Sequence, residues 1–342
     1  MKYQSICMLP KLTGTGGPSS FQSKLTDGFA RLGIEVNHDP DDLENSAILV
    51  IGGTRQIGAL LRAKRRGVTI VQRLDGMNWL HKKHSTGLRH YLRSEGMNML
   101  LAYIRRHLAD RIVYQSAFTR DWWNTVYRSM NKPISVIHNG VDLDRFHPGG
   151  SGPPPSDRYR LLVVEGSFKG GHERDMLNAV DAARRISELA NRQVELVVAG
   201  RVPDNLRAAV HSSEMVDIQL LGLVPHEQIP ELNRSAHLMF PAEINAACPN
   251  AVVEALACGL PVISYATGSL PELVGDTGGR VVPYGGNYWK LEPPDTDALA
   301  KAALEVLQDL PTFRKAARKR AEEKFGLDAM VEHYRQVLFD GK

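Results

Sequence analysis

Glu254, Asn250 and Lys169 are the residues best placed to do chemistry, and the chemistry they suit is the handling of phosphate and hydroxyl groups. The run Pro241-Ala-Glu243-Ile-Asn-Ala-Ala-Cys248-Pro249-Asn250-Ala-Val-Val-Glu254 follows a short apolar strand ending at Phe240. Asn250 reads as the N-cap of a helix, whose positive end would hold an anion on the amides of Ala251 and Val252. Glu254 falls in about the first turn. It either accepts hydrogen bonds from a sugar diol or only complements the helix dipole. Lys169 lies in Gly166-Ser167-Phe168-Lys169-Gly170-Gly171-His172, where it either neutralises a diphosphate or is a solvated turn lysine. A second glycine-rich loop, Thr13 to Ser20, contains Gly16 and Gly17 between the first strand and the first helix. It is a tight turn or an anion cradle, and it is neither a G-x-G-x-x-G nor a P-loop lysine motif.

Strands and helices must alternate to put these loops where ligands bind. Tyr3 to Leu9, Ser46 to Ile51, Val68 to Gln72, Asp110 to Tyr114 and Ile134 to Ile137 read as strands. Between them Ser19 to Leu32, Ile57 to Arg66, Leu88 to Leu108 and Phe118 to Tyr127 read as helices. The pattern restarts after the Pro/Gly/Ser run Pro148 to Ser156, which reads as a linker. Strands at Tyr159 to Val164, Val194 to Ala199, Ile218 to Leu221, His237 to Phe240 and Pro261 to Tyr265 then alternate with helices, Asp175 to Leu189 and Asn250 to Cys258 among them. The expected fold class is α/β, two Rossmann-like domains whose parallel sheets face a central cleft. The first would span 1–150 and the second 157–325, with a last helix in 326–342 packing away from its own domain.

The 342 residues suit two cores, and a composition of 43% hydrophobic and 23% charged residues excludes a disordered or fibrous chain. No stretch has the length of a membrane span and no secretory leader is visible. Cys7, Cys248 and Cys258 form neither a disulfide framework nor a structural zinc site, so a cytoplasmic location is expected. The net charge of +4 is uneven: residues 1–150 carry 21 Lys and Arg against 12 Asp and Glu, +9, which leaves −5 for the remainder. The basic half is either a solvated surface or attracts an anionic acceptor or the headgroups of the inner membrane face. Within it, Leu88 to Arg111 sets Met97, Met99, Leu100, Leu101, Tyr103 and Ile104 beside Arg93, Arg105 and Arg106. This is a core helix or an amphipathic basic helix for peripheral membrane contact. The clusters Lys64-Arg65-Arg66 and Lys82-Lys83 have no aromatic platform, so no nucleic-acid partner is expected.

The run CPNAVVEALACGLPVISYATGSLPELV resembles the donor-site signature of the family-4 retaining glycosyltransferases, which have the GT-B fold. VIHNGVDLDRF (Val136 to Phe146) is similar to that family's segment before the interdomain linker, Gly16-Gly17 to its first glycine loop, and Leu221-Gly-Leu-Val224-Pro to its nucleotide-base loop. The resemblance implies transfer of a sugar, with retention, from a nucleotide-sugar donor, UDP- or GDP-linked, to a glycan, lipid-linked or small-molecule acceptor. Cell-envelope polysaccharide or glycoconjugate synthesis is the setting it implies. By similarity Glu254 binds the donor ribose, Asn250, Ala251 and Val252 the diphosphate, and Lys169 the departing phosphates. The last helix crosses back to the first domain. No metal and no cofactor are implied, because a lysine and a helix dipole supply the charge stabilisation.

The sequence departs from that pattern at three places. Ala246 stands where the family has an acid eight residues before the equivalent of Glu254, and Glu243 would substitute for it. Ser167 stands nearest the place of a phosphate-binding arginine. Gln72-Arg73-Leu74-Asp75-Gly76 replaces a strand-end histidine, leaving Arg73 and Asp75 as acceptor-side candidates or a surface ion pair. Retention without facing carboxylates points to attack on the face the nucleotide leaves. The readings that compete are a degenerate GT-B protein that binds nucleotide-sugar or a partner without turnover, another GT-B enzyme such as an epimerase or phosphorylase, and a dehydrogenase suggested by Gly52-Gly53-Thr-Arg-Gln-Ile-Gly58. The last lacks a Tyr-x-x-x-Lys partner.

Overall fold

The computed structural model describes residues 4–14, 16–83, 87–169 and 172–340. The chain forms two compact units, one of residues up to Gly140 together with those from Leu327, the other of Val141–Gly326. Tyr3, Thr15, Gly170 and Gly171, part of the expected first strand and of the two glycine loops, lie outside the described residues.

In the first unit the described strands β1 (Ser5–Leu9), β2 (Glu35–Asn37), β3 (Asn45–Ile51), β4 (Thr69–Leu74), β5 (Arg111–Tyr114) and β6 (Ile134–Val136) are all parallel, in the order β2-β1-β3-β4-β5-β6. The central strands are buried on both sides, which is why ICML and AILVI are unbroken apolar runs. Helices α1 (Gly17–Arg31), α2 (Ile57–Arg65), α3 (Leu88–Tyr103, continued by a π-helical turn Ile104–Leu108) and α4 (Ala117–Tyr127) connect them. One sheet face is covered by Phe21, Leu25 and Phe29 of α1 and by Met330, Val331, Tyr334 and Leu338 of the C-terminal helix, Leu327–Phe339. The approach is close: a Cβ on Gly28 would stand 2.3 Å from Val331 Cγ2, so only glycine fits there. Leu60, Leu101, Ile104 and Trp123 cover the other face.

The second unit holds β7 (Tyr159–Ser167), β8 (Val194–Arg201), β9 (Val216–Gly222), β10 (Leu238–Met239), β11 (Val262–Tyr265) and β12 (Gly279–Val282), parallel in the order β12-β11-β10-β7-β8-β9. Its helices are α5 (Glu173–Ala190), α6 (Asp204–Ala209), α7 (Ile229–Arg234), α8 (Asn250–Ala257), α9 (Leu270–Val274), α10 (Thr296–Gln308) and α11 (Leu310–Lys324). The strand order reverses between β7 and β10 here, and between β1 and β3 in the first unit. Such switch points open a crevice beyond the carboxyl ends of the strands, where ligands bind.

Several boundaries differ from those the sequence predicts. The chain changes unit after Gly140, ten residues before the expected boundary at 150. Val141 and Phe146 are buried in the second core, and the Val141 N–H donates to Phe325 O at 2.8 Å. A Pro/Gly run therefore marks irregular backbone here and not the boundary itself. β7 runs on through a bulge to Ser167, absorbing the start of the expected glycine turn. The edge strands β2 and β12 and the short helices α6 and α9 have too few residues for a legible period.

Candidate active site

The second unit brings two groups of chemically capable residues to the ends of its strands. The first is built by α8. Pro249, in extended conformation, is the N-cap and Asn250 the first helical residue, one position earlier than the sequence suggests, and no side chain caps the helix. The Val252 N–H is turned back to Pro249 O at 3.2 Å. The amides of Asn250 and Ala251 have no acceptor among the described residues and lie at the positive end of the helix dipole. At the other end Gly259 adopts φ +68°, with Gly259 N–H donating to Leu256 O and Leu260 N–H to Ala255 O, both at 2.9 Å. This is a Schellman stop followed by Pro261, as Cys-Gly-Leu-Pro spells out. Arg318 Nη1 donates to Ala257 O and Phe146 O, at 2.9 and 2.8 Å, and so ties α8 to the Val141–Phe146 segment.

Glu254 lies in the second turn of α8, so the dipole alone does not account for a carboxylate there. It is buried, at 4% exposure, and Oε1 stands 2.9 Å from Nε2 of His226. His226 opens the 3₁₀ turn His226–Gln228 directly after Leu223-Val224-Pro225, and its ring lies 5.4 Å from that of Phe146. Glu254 and the loop carrying Val224 are therefore joined by one hydrogen bond, although its two members lie 28 positions apart in the chain. Val224 is half-buried on a groove of about 550 Å³ that also includes Leu221, Leu223 and Leu232.

The second group surrounds a pocket of about 190 Å³ at the β7/β10 switch point, lined by Glu165, Ser167, His172, Asp175 and Glu243. Glu165 and Ser167 end β7, and the Glu243 N–H donates to Glu165 Oε1 at 3.4 Å. His172 stands at the start of α5 with Nδ1 2.8 Å from Asp175 Oδ2. That hydrogen bond holds the imidazolium, raising its pKa to about 9. Burial, then the charges of Glu243 and Asp175, push Glu165 up to about 8, so its carboxyl is neutral at pH 7. Lys169 is exposed beside this pocket, its N–H donating to Ser167 Oγ at 3.3 Å. Ala246 is buried, and its carbonyl accepts from Ser269 N–H at 2.9 Å.

The titrations set a stability slope. The native state keeps the Glu165 proton to about pH 8, whereas a free glutamate releases it near 4.5; stability falls across that interval as pH rises. His172 likewise keeps its proton to about pH 9 against 6.5 in the unfolded chain, extending the fall. Glu165→Gln, which mimics the neutral acid, is expected to raise the melting temperature at pH 8–9 and leave it unchanged near pH 4.5. Calorimetry across that range measures it, and an unaltered slope would contradict the assignment.

Gly16, Gly17, Arg73 and Asp75 belong to the first unit. Gly16 is the N-cap of α1 at φ −78°, and a Cβ on Gly17 would meet open space. Neither backbone nor packing demands glycine there. Gln22 fixes the loop, accepting from Leu12 N–H at 2.8 Å and donating to Pro10 O at 3.0 Å. Arg73 is not half of a surface ion pair: it is 2% exposed, lies 3.7 Å over the Phe21 ring and donates to Asn139 Oδ1 at 2.8 Å. Asp75 is half-buried, its carboxyl held above the usual range by burial, and its carbonyl accepts from Trp123 Nε1.

Two parallel six-stranded α/β sheets, each with its own strand-end loops, define a GT-B protein. Residues 169–324 match the family profile described as Glycosyl transferases group 1, and residues 52–145 that of Glycosyltransferase Family 4. The chain belongs to the family-4-like glycosyltransferases of GT-B fold. It is 30% identical to a phosphatidylinositol N-acetylglucosaminyltransferase subunit of Arabidopsis thaliana over 56% of this chain and 40% of that one. It is 27% identical to the D-inositol 3-phosphate glycosyltransferase of Saccharomonospora viridis over 67% and 56% of the two chains. The chain thus spans about half the length of the curated relatives it matches. In fold it is similar to the sucrose-phosphate synthase of Thermosynechococcus elongatus (TM-score 0.72, 18% identity, 99% and 100% of the chains). It is also similar to Anabaena HepE in complex with UDP and glucose (TM-score 0.69, 15% identity, 99% and 100%).

Proposed function

We propose that this chain is a retaining glycosyltransferase that moves a sugar from a UDP- or GDP-sugar to a glycan, lipid-linked or small-molecule acceptor, in cell-envelope or glycoconjugate synthesis. The observation that carries the reading is the Glu254–His226 pair, which joins a buried carboxylate to the loop of Val224 next to the uncapped amides of α8. In this reading the base lies on the Val224 loop, Glu254 accepts from the ribose hydroxyls, and the α8 amides receive the diphosphate. Lys169, exposed just after β7, meets the charge that develops as the diphosphate departs. Gly16 and Gly17, at the start of α1, are proposed to offer backbone amides to the donor, and Arg73 and Asp75 of the first unit to serve the acceptor side.

Glu243 takes the place of the acid absent at Ala246. It shares its pocket with the neutral Glu165 carboxyl and the His172 imidazolium, which together offer donors and acceptors to sugar hydroxyls. With a lysine and a helix terminus balancing the phosphates, the reaction is proposed to need no metal. A reducing cytoplasm is the proposed location. The three buried cysteines suit it, with burial pushing Cys7 up to about 12 and Cys258 to about 11.

The test is the anomeric configuration of the product, followed by NMR with an α-linked donor in the presence of a chelator. An α-linked product formed at undiminished rate is expected. A β-linked product would overturn retention, and arrest by the chelator would overturn metal independence. Binding of a nucleotide-sugar without turnover would favour a degenerate family member.

A further inference from the structure

The helix α3 exposes what a surface helix ordinarily hides. Its buried positions include Ser94, Asn98 and Leu101, and Asn98 is pinned by donating to Asn78 O at 2.9 Å and accepting from Asn78 N–H at 3.1 Å. Leu88 is 74% exposed, Leu92 61%, Met99 66% and Tyr103 44%. At about 100° per residue these four fall within roughly 60° of one another, a stripe about 22 Å long. Leu101, with Met97 and Leu100 against it, packs on the core, so the stripe of Leu88, Leu92, Met99 and Tyr103 is a second apolar face that the fold leaves uncovered.

The stripe is flanked by positive charge. Arg89 and Arg93 of α3, Arg106 of the π-helical turn and Lys83 before the helix are exposed and have no ion-pair partner among the described residues. Glu95 is the one acid between Leu88 and Leu108, and it is committed to His81 at 2.7 Å and Lys82 at 3.1 Å. Arg105 does not belong to this surface: it is buried, with Nε donating to Tyr114 Oη at 2.7 Å. No described helix is long and apolar enough to cross a bilayer.

We infer that the outer face of α3, Leu88, Leu92, Met99 and Tyr103 with Arg89, Arg93 and Arg106, docks the first unit on the surface of an anionic lipid bilayer. The leucines, methionine and tyrosine enter the headgroup and upper acyl region while the arginines stay among the lipid phosphates. The charge chooses this occupant over a second copy of the chain, whose identical face would present the same cations. The inference is independent of catalysis and stands or falls apart from the proposed transfer reaction.

Co-sedimentation of the full chain with phosphatidylcholine vesicles, with and without about a third phosphatidylglycerol, tests it. The chain is expected to pellet with the anionic vesicles only. Leu92→Glu should weaken binding about tenfold or more through lost insertion. Arg89→Glu with Arg93→Glu should weaken it at least as much, at about fivefold for each charge removed. Both sites are exposed, so unchanged circular dichroism and melting temperature are expected and distinguish lost docking from misfolding. Equal binding to both vesicles, no binding to either, survival of binding in both variants, or a wild-type dimer dissolved by Leu92→Glu would each overturn the inference.

Discussion

Replacing Glu254 with alanine is expected to lower the affinity for a nucleoside diphosphate by roughly 10- to 150-fold, the worth of hydrogen bonds to a buried charged group. The effect should exceed that of His226→Ala. His226 is largely exposed and orients the carboxylate, whereas Glu254 itself is proposed to touch the ribose. Glu254→Gln keeps an acceptor without the charge and should fall between them. Calorimetric titration of the three variants reads the order directly. If His226→Ala reproduced the whole loss, Glu254 would be a structural anchor for the Val224 loop and not a ligand-binding group. The unliganded melting temperature of His226→Ala should remain close to wild type, because His226 is exposed and water can take the place of its ring against the Glu254 carboxylate.

Tyr334→Ala is expected to cost about 3–5 kcal/mol, as for other large buried aromatics. Tyr334 is fully buried, its ring centroid 5.1 Å from that of Phe21, and it sits with Met330, Val331 and Leu338 in the core that the C-terminal helix shares with α1. The melting transition of the first unit should fall by roughly 10 °C. The second unit contains neither Tyr334 nor any residue of that cluster, so its transition should be unmoved. A shift of both transitions, or of neither, would contradict the assignment of this helix to the first unit. Nucleotide binding at α8 should survive the substitution, which separates its effect from that of Glu254→Ala.

The architecture was legible because each layer has a simple period. Continuous apolar runs such as ILVI mark strands buried on both faces, and Cys258-Gly259-Leu260-Pro261 marks the stop of α8 in four residues. Asn250 misled by one position: proline at 249 fixes an extended N-cap, and the helix begins at Asn250 without a side-chain cap. Contacts between residues far apart in sequence were not legible. Nothing local ties His226 to Glu254, and nothing in Gln72 to Gly76 shows that Arg73 turns inward over Phe21 to reach Asn139. Glu165 was missed although it ends a strand immediately before Gly166-Ser167, where the rule for open sheets directs attention. Its neutral carboxyl follows from three acids converging at one switch point, which only the fold brings together.

The same division holds for α3. Its sequence shows apolar and basic residues together, but not that Ser94 and Asn98 face inward while Leu88 and Leu92 face out. Hydrophobic periodicity assigns the apolar stripe to a core by default. Here the default holds for Leu101 and Ile104, with Met97 and Leu100 packed against the same core, and fails for Leu88, Leu92, Met99 and Tyr103, while hydrogen bonds to Asn78 help hold the inward face.

The most direct measurement is release of nucleoside diphosphate from a panel of UDP-, GDP- and ADP-sugars by the full chain, with thermal stabilisation recorded for each donor. One donor is expected to stabilise the second unit's transition and to be slowly hydrolysed, with a rate that rises when an acceptor is supplied. No stabilisation and no hydrolysis by any donor in the panel would contradict a nucleotide-sugar site at α8.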